Sequence, residues 1–150
     1  MHNIKRSRGT WDDYFLRIAA VVASRSTCDR NHVGAVIVRD NIILSTGYNG
    51  SIRKMPHCNV NGHAMKDGHC TNTVHAEANA ILQAAYTGVS IKEGTLYTTS
   101  SPCWHCFKLI ANAGIKRVVF ESVYGKELGR VRATARKIGI SVLQRPFQAQ

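Results

Sequence analysis

The sequence predicts an α/β fold: a five-stranded mixed sheet with helices on both faces, in three α/β/α layers. Three observations carry this. Two β-branched runs, Val33 to Arg39 and Ile42 to Thr46, flank the turn pair Asp40-Asn41 and read as a hairpin. Beyond His75, helical spacing alternates with short β-branched runs, the pattern of parallel crossovers. Apolar types make up 44% of the 150 residues, enough for a substantial core.

Each element has its own justification. Trp11 to Ser26 is expected to be a helix, because Phe15, Ile18, Ala19, Val22 and Ala23 recur at helical spacing and Asp12 and Asp13 fall in the first turn. The hairpin follows. Gly47 to Val74 has no clear period and holds Cys58, Cys70, His57, His63 and His69. A structureless segment this long inside a domain calls for a staple, and a metal ion would serve. His75 to Thr87 reads as an Ala-rich helix and Thr95 to Thr99 as a strand. Pro102 opens a helix that runs to about Ala113 and is closed by Gly114. Arg117 to Glu121 is a strand, Glu127 to Ile138 a basic helix closed by Gly139, and Ile140 to Leu143 a last strand. The order is α-β-β-α-β-α-β-α-β.

No repeat, linker or composition break divides the chain, so one domain over residues 1–150 is expected, with 1–10 a flexible arm. No apolar run reaches the roughly 18 residues of a membrane span. The basic start, Met1 to Arg8, lacks the apolar stretch of a signal peptide, so a cytoplasmic protein is expected. Lys and Arg number 20 against 9 Asp and Glu, a net charge of +11. That balance suits an anionic partner, either nucleic acid or a phosphorylated small molecule, although a merely solvated surface accounts for it as well. Five cysteines, an odd count, argue against a closed disulfide framework and for metal ligation or free thiols.

The chemistry concentrates at two helix starts. His75-Ala76-Glu77 opens one and Pro102-Cys103-Trp104-His105-Cys106 the other. Two cysteines three apart can face one ion, and a helix N-terminus favours their thiolates. With one histidine they make three ligands, which leaves the fourth tetrahedral position of a zinc ion for water. Glu77, two residues from His75, need not bind the metal and can act as a proton shuttle. The plain alternative is ordinary helix residues beside buried thiols. His105, between the cysteines, is expected to be exposed or to stand behind the ligands rather than to bind the ion.

H-x-E followed by P-C-x-x-C is the signature of zinc-dependent nucleobase deaminases. The chain resembles the cytidine/deoxycytidylate deaminase superfamily and, more narrowly, the deoxycytidylate (dCMP) deaminases of bacteria and phages. The resemblance runs from Trp11 to Leu143. It is carried by Ser26-Thr27-Cys28, Val33 to Val38, Gly47-Tyr48-Asn49-Gly50, His75 to Leu82, Ser101 to Cys106 and Ala113 to Lys116. It implies the cytidine deaminase-like fold and hydrolysis of dCMP to dUMP and ammonia, supplying dUMP for thymidylate synthesis. His75, Cys103 and Cys106 would hold a catalytic zinc. Glu77 would deprotonate the attacking water, protonate ring N3 and deliver a proton to the leaving ammonia. The Ala76 N–H would face the base carbonyl and Asn49 the sugar hydroxyl. For the 5′-phosphate, Arg25 and Ser26 are candidates, with Tyr124 and Lys126 from the opposite wall.

The resemblance also bears on the remaining cysteines. Many relatives carry a further cysteine five residues after the position of Cys58, and here that place is His63. Cys28, Cys58, His63 and Cys70 would then form a structural zinc site, two zinc ions per chain in all, with His57 and His69 as rival fourth ligands. Family members form hexamers, activated by dCTP and inhibited by dTTP with magnesium, which would place an effector site near Gly47, Gly50 and Arg53. Where regulated phage relatives carry a phenylalanine and an arginine after His-Ala-Glu, this chain has Gln83 and Tyr86. Two other functions compete. A tRNA adenosine deaminase shares the zinc motif, but does not use Gly47-Tyr48-Asn49-Gly50 or the three extra cysteines this way. A non-catalytic, zinc-stapled nucleic-acid-binding module would use the basic helix with Lys126, Arg130, Arg132, Arg136 and Lys137 but has no need of Glu77. The dCMP reading expects a small-molecule substrate, no membrane and no nucleic acid.

Overall fold

The computed structural model describes residues 8–146. Residues 1–7 of the expected flexible arm lie outside the described residues. In chain order the elements are helix α1 (Trp11–Ala23), strands β1 (Gly34–Arg39), β2 (Ile42–Tyr48) and β3 (Gly50–Ser51), helix α2 (Cys58–Asn61), strands β4 (Met65–Lys66), β5 (His69–Cys70) and β6 (Thr73–Val74), helix α3 (Ala76–Thr87), strand β7 (Thr95–Ser100), helix α4 (Trp104–Asn112), strand β8 (Arg117–Ser122), helix α5 (Leu128–Ile138) and strand β9 (Ser141–Gln144).

Helix α1 starts on a capping box. The Thr10 hydroxyl accepts from the Asp13 N–H at 3.2 Å, while the Thr10 N–H donates to the Asp13 carboxylate. It ends at Ala23, short of the expected Ser26, because the Ser24 hydroxyl donates back to the Val21 carbonyl at 2.6 Å and the chain leaves as a turn.

The main sheet has the order β2-β1-β7-β8-β9. Pairs β1–β2 and β1–β7 are antiparallel, and β7–β8 and β8–β9 are parallel, so the mixed five-stranded sheet is as expected. Asp40 and Asn41 both take positive φ, 53° and 60°, the two-residue turn that matches strand twist. Alternate residues of the inner strands serve the two faces. Val36, Val38, Tyr97 and Val119 meet Phe15, Leu16 and Ala19 of α1. Ala35, Ile37, Leu96 and Val118 meet Ala80, Ala84, Phe107, Ile110, Val131 and Ala135 of α3, α4 and α5. Arg117 on β8 pins α1 across the sheet through two bonds to the Asp12 carboxylate, at 2.8 and 2.7 Å. The Tyr97 hydroxyl donates to the same carboxylate. The Arg117 hydrogen bonds hold Asp12 below the usual carboxylate range, against its partial burial.

The segment 47–74 is more ordered than its aperiodic sequence suggests. β3 pairs with β6, and β4 with β5. The β4–β5 hairpin turns on Asp67 and Gly68, both at positive φ. An Asp-Gly pair is among the strongest short hairpin signals, so this turn was legible in the sequence and the long-loop reading passed over it. No helix among the described residues is long and apolar enough to cross a membrane.

Candidate active site and metal centre

The site forms at the carboxyl end of β7, where antiparallel β1 lies on one side and parallel β8 on the other. Two helices begin there. His75 and Cys103 are not the first helical residues, as the sequence spacing implies, but the N-caps of α3 and α4. Both have extended backbones, φ/ψ −68°/153° and −70°/167°. An extended N-cap aims its side chain over the free N–H groups of the first turn, and Cys103 Sγ accepts the Cys106 N–H at 3.5 Å.

This brings His75 Nδ1 to 3.6 Å from Cys103 Sγ and 3.4 Å from Cys106 Sγ. A tetrahedral zinc with S at about 2.3 Å and N at about 2.0–2.1 Å has N···S edges of about 3.5 Å. The three donors therefore fit that ion, and three donors leave one position open. The His75 nitrogen that faces both sulfurs is Nδ1. Cys103 is held down to about 3 by the hydrogen bond from Cys106 and then by His75, against burial, which makes it a ready thiolate. Cys106 is pushed up by Cys103 and by burial, and His75 is raised chiefly by Cys103.

Glu77 is 4% exposed and lines the same cleft as His75 and Cys103. Burial pushes its carboxyl up to about 7, with the Cys103 charge adding to the rise and its own N–H, His75 and Cys106 opposing. A carboxyl poised near neutrality can take and return a proton under ordinary conditions.

Asn49 and Ala76 line the same cleft, together with Tyr124. Asn49 is buried and already fixed: its Nδ2 donates to the Asn31 carbonyl at 2.7 Å and its Oδ1 accepts the Val33 N–H at 2.9 Å. One amide hydrogen and one lone pair remain for a ligand. Tyr124 is held by Ser101, whose hydroxyl accepts the Tyr124 N–H at 2.8 Å. The expected phosphate residues are only partly assembled. Arg25 and Lys126 do not line the cleft, and the Ser26 hydroxyl is spent on the Asn49 carbonyl at 2.9 Å. Arg30 lines it instead. His105 is exposed, as expected.

The ligand atoms of Cys28, Cys58 and His63 form a second group within 4.8 Å of one another. His63 Nδ1 is buried without a partner, while its Nε2 bonds the Asp29 carboxylate at 2.8 Å. A histidine pinned through one nitrogen to a carboxylate, with the other nitrogen free, is arranged as a metal ligand. Cys70 falls outside that group, although its thiol raises the His63 imidazole. Burial would raise the Cys70 thiol, yet hydrogen bonds from Thr73, His63 and two backbone groups bring it down to about 6. Of the rival histidines, His57 is the exposed N-cap of α2 and His69 bonds the Tyr124 hydroxyl at 3.2 Å; neither joins the group. Asp29 went unnoticed in the sequence, although an acid one residue from a ligand cysteine is a signal for such a partner.

Gly47, Gly50 and Arg53 line a separate groove together with Gln83 and Tyr86. The Arg53 guanidinium lies 4.9 Å from the centre of the Tyr86 ring.

The family model described as the cytidine and deoxycytidylate deaminase zinc-binding region matches residues 9–122. The chain is 46% identical over 117 residues to ComE operon protein 2 of Bacillus subtilis, covering 78% of this chain and 62% of that protein. It is 40% identical over 126 residues to the deoxycytidylate deaminase of Mycobacterium phage D29, covering 76% of this chain and 96% of that one. A crystal structure of the dCMP deaminase of cyanophage S-TIM5, in complex with dCMP and dUMP, superposes with a TM-score of 0.76 at 29% identity, over 89% of this chain and 95% of that chain.

Proposed function

This chain belongs to the cytidine and deoxycytidylate deaminase family, and from that premise we propose that it hydrolyses dCMP to dUMP and ammonia as one zinc-dependent domain over residues 1–150. The observation that carries the reading is the three-donor centre of His75, Cys103 and Cys106 with buried Glu77 beside it. Zinc bound by those three residues supplies Lewis-acid activation of a water at the fourth position.

This chain's own groups do the rest. Glu77 takes a proton from the attacking water as its oxygen bonds C4 of the cytosine. The same carboxyl returns that proton to ring N3. It then carries the second water proton to the amine, the C4–N bond breaks, and ammonia leaves with a carbonyl at C4. Ala76 offers its N–H to the base carbonyl, and Asn49 offers its remaining donor and acceptor to the sugar hydroxyl. A nearly water-free position keeps Glu77 able to exchange protons in both directions.

A second zinc is part of the proposal, held by Cys28, Cys58 and His63, with Cys70, whose thiol and the His63 ring shift each other's protonation, as the fourth ligand. Ordering 57–74 costs conformational entropy that metal binding would offset. Native mass spectrometry is expected to give two zinc ions per chain; one ion would remove the structural site and leave the catalytic one. The effector reading also stands as a proposal: dCTP activates and dTTP inhibits, with magnesium, in a hexamer. Its support is the groove holding Gly47, Gly50 and Arg53, beside exposed Tyr48, Ile52, Leu82 and Tyr86.

The deciding experiment is a substrate panel of cytidine, deoxycytidine, CMP, dCMP and dCTP, read by loss of the cytosine ultraviolet band. The dCMP rate is expected to exceed the others. Deamination of a tRNA anticodon stem without any of dCMP would overturn the proposal.

A further inference from the structure

We infer that Glu127 is a positioning residue of the metal centre, its carboxylate holding the Cys103–Trp104 peptide so that Cys103 offers its sulfur in one fixed direction. The inference rests on the reading of His75, Cys103 and Cys106 as a zinc centre, and it adds a residue that stands outside the cleft.

Glu127 is the N-cap of α5, yet its side chain does not cap that helix. It crosses to α4 instead, where Oε2 accepts the Trp104 N–H at 2.9 Å across 23 residues of sequence. Lys126 and Arg130 lie close by in the chain, but none of the ion pairs among the described residues includes Glu127. Trp104 is the first residue of α4, so its N–H has no acceptor within the helix. A carboxylate at that point makes a charge-assisted bond and sits well at the positive end of the helix dipole.

The bonded N–H belongs to the peptide that follows Cys103. The other edge of the same peptide, the Cys103 carbonyl, accepts the Phe107 N–H at 2.9 Å. Held at both edges, the peptide plane cannot turn, and this fixes the extended ψ of 167° at Cys103. That backbone setting aims the side chain over the first turn, with Sγ 3.6 Å from His75 Nδ1. The chain before Pro102 is anchored by the same loop. The Ser101 N–H donates to the Ser122 carbonyl at 2.8 Å, and the Ser101 hydroxyl accepts the Tyr124 N–H at 2.8 Å. The stretch 122–127 therefore grips the chain on both sides of Cys103. Arg130, in the first turn of α5, makes a contact of another kind, its guanidinium lying 3.8 Å from the centre of the Trp104 ring. This contact joins the two helices through the ring and leaves the peptide alone, so it serves as the control.

The test measures zinc at this centre in the wild type, Glu127→Ala, Glu127→Gln and Arg130→Ala. Each protein is equilibrated in buffers of fixed free zinc and its metal content read by elemental analysis, with Cys106→Ser giving the background from any other site. Glu127→Ala is expected to bind zinc about 10-fold more weakly and, with cobalt in place of zinc, to shift the sulfur-to-metal charge-transfer band. Glutamine keeps an oxygen to accept the N–H, so Glu127→Gln is expected to stay within about threefold of the wild type. Arg130→Ala is expected to stay within about twofold, since it removes only a ring contact. Wild-type affinity or an unshifted band in Glu127→Ala would overturn the inference. A loss in Arg130→Ala as large as that in Glu127→Ala would do the same, by tracing the effect to the contact between the two helices at large. So would a Glu127→Gln protein as weak as Glu127→Ala, by tracing it to charge rather than to the held peptide. A wild type that retains no more zinc than Cys106→Ser would instead sink the three-donor reading itself, so the two failures are distinguishable.

Discussion

Glu77→Gln is expected to lower kcat for dCMP by about 10³- to 10⁴-fold while the zinc content stays that of the wild type. The size follows from how many steps use one side chain. In the proposed reaction Glu77 accepts a proton, returns it to the ring and delivers another to the leaving amine, and a carboxamide can do none of these. Its surroundings are tuned for that traffic, since burial at 4% exposure lifts the carboxyl to about 7. Glutamine has the same shape and is not one of the three metal donors, so the centre of His75, Cys103 and Cys106 should load normally. The fold should also hold, because a neutral amide is easier to bury than a carboxylate. Elemental analysis, circular dichroism and a single-turnover assay check the three parts. A variant that turns over within tenfold of the wild type would remove Glu77 from the chemistry, whatever the metal does. By contrast, Cys106→Ser is expected to lose both zinc and activity.

What could be read from the sequence was what local chemistry fixes. His75, Glu77, Cys103 and Cys106 declared themselves because a helix start sets their spacing. That both helices begin on a member of the three-donor cluster in the N-cap position is finer than sequence spacing resolves. The Asp40-Asn41 turn was legible from its residue types. Arg30 was not, and the reason is physical. Arg25 and Arg30 are both cations in one polar stretch, and only the folded hairpin at 65–70 decides which of them stands at the cleft. Helix α1 stopped early for a similar reason, since one serine hydroxyl outweighed the propensity of the residues after it. The small strands β3 to β6 pair two residues at a time, too few for a period-two pattern to show.

Gly47→Ala is expected to cost at least about 3 kcal/mol of stability and most of the soluble yield, although the residue is not a donor in either candidate metal group. Gly47 was expected at an effector site, and it does line the groove with Arg53. Its packing is more demanding than that role. Helix α3 lies on β2 with Ala76, Ala80 and Ala84 turned inward, all essentially without exposure. Small residues let the helix approach until its backbone meets the strand. A Cβ on Gly47 would fall on the Ala80 nitrogen and the Ala76 carbonyl oxygen, and 2.8 Å from the Asn79 carbonyl carbon. These are backbone atoms, so no rotamer change relieves the clash and the helix must lift. The Asn79 amide, which donates to the Tyr48 carbonyl at 2.7 Å, would be strained with it. Because His75 and Glu77 ride on the start of α3, the surviving folded fraction should also bind zinc more weakly. Gly129→Ala, on α5 with nothing near its would-be Cβ, is the control and should be neutral or mildly stabilising. Urea midpoints with zinc present separate the two. A Gly47→Ala protein with a wild-type midpoint would mean that β2 and α3 can part without loss, and the coupling of the metal site to this contact would have to be abandoned.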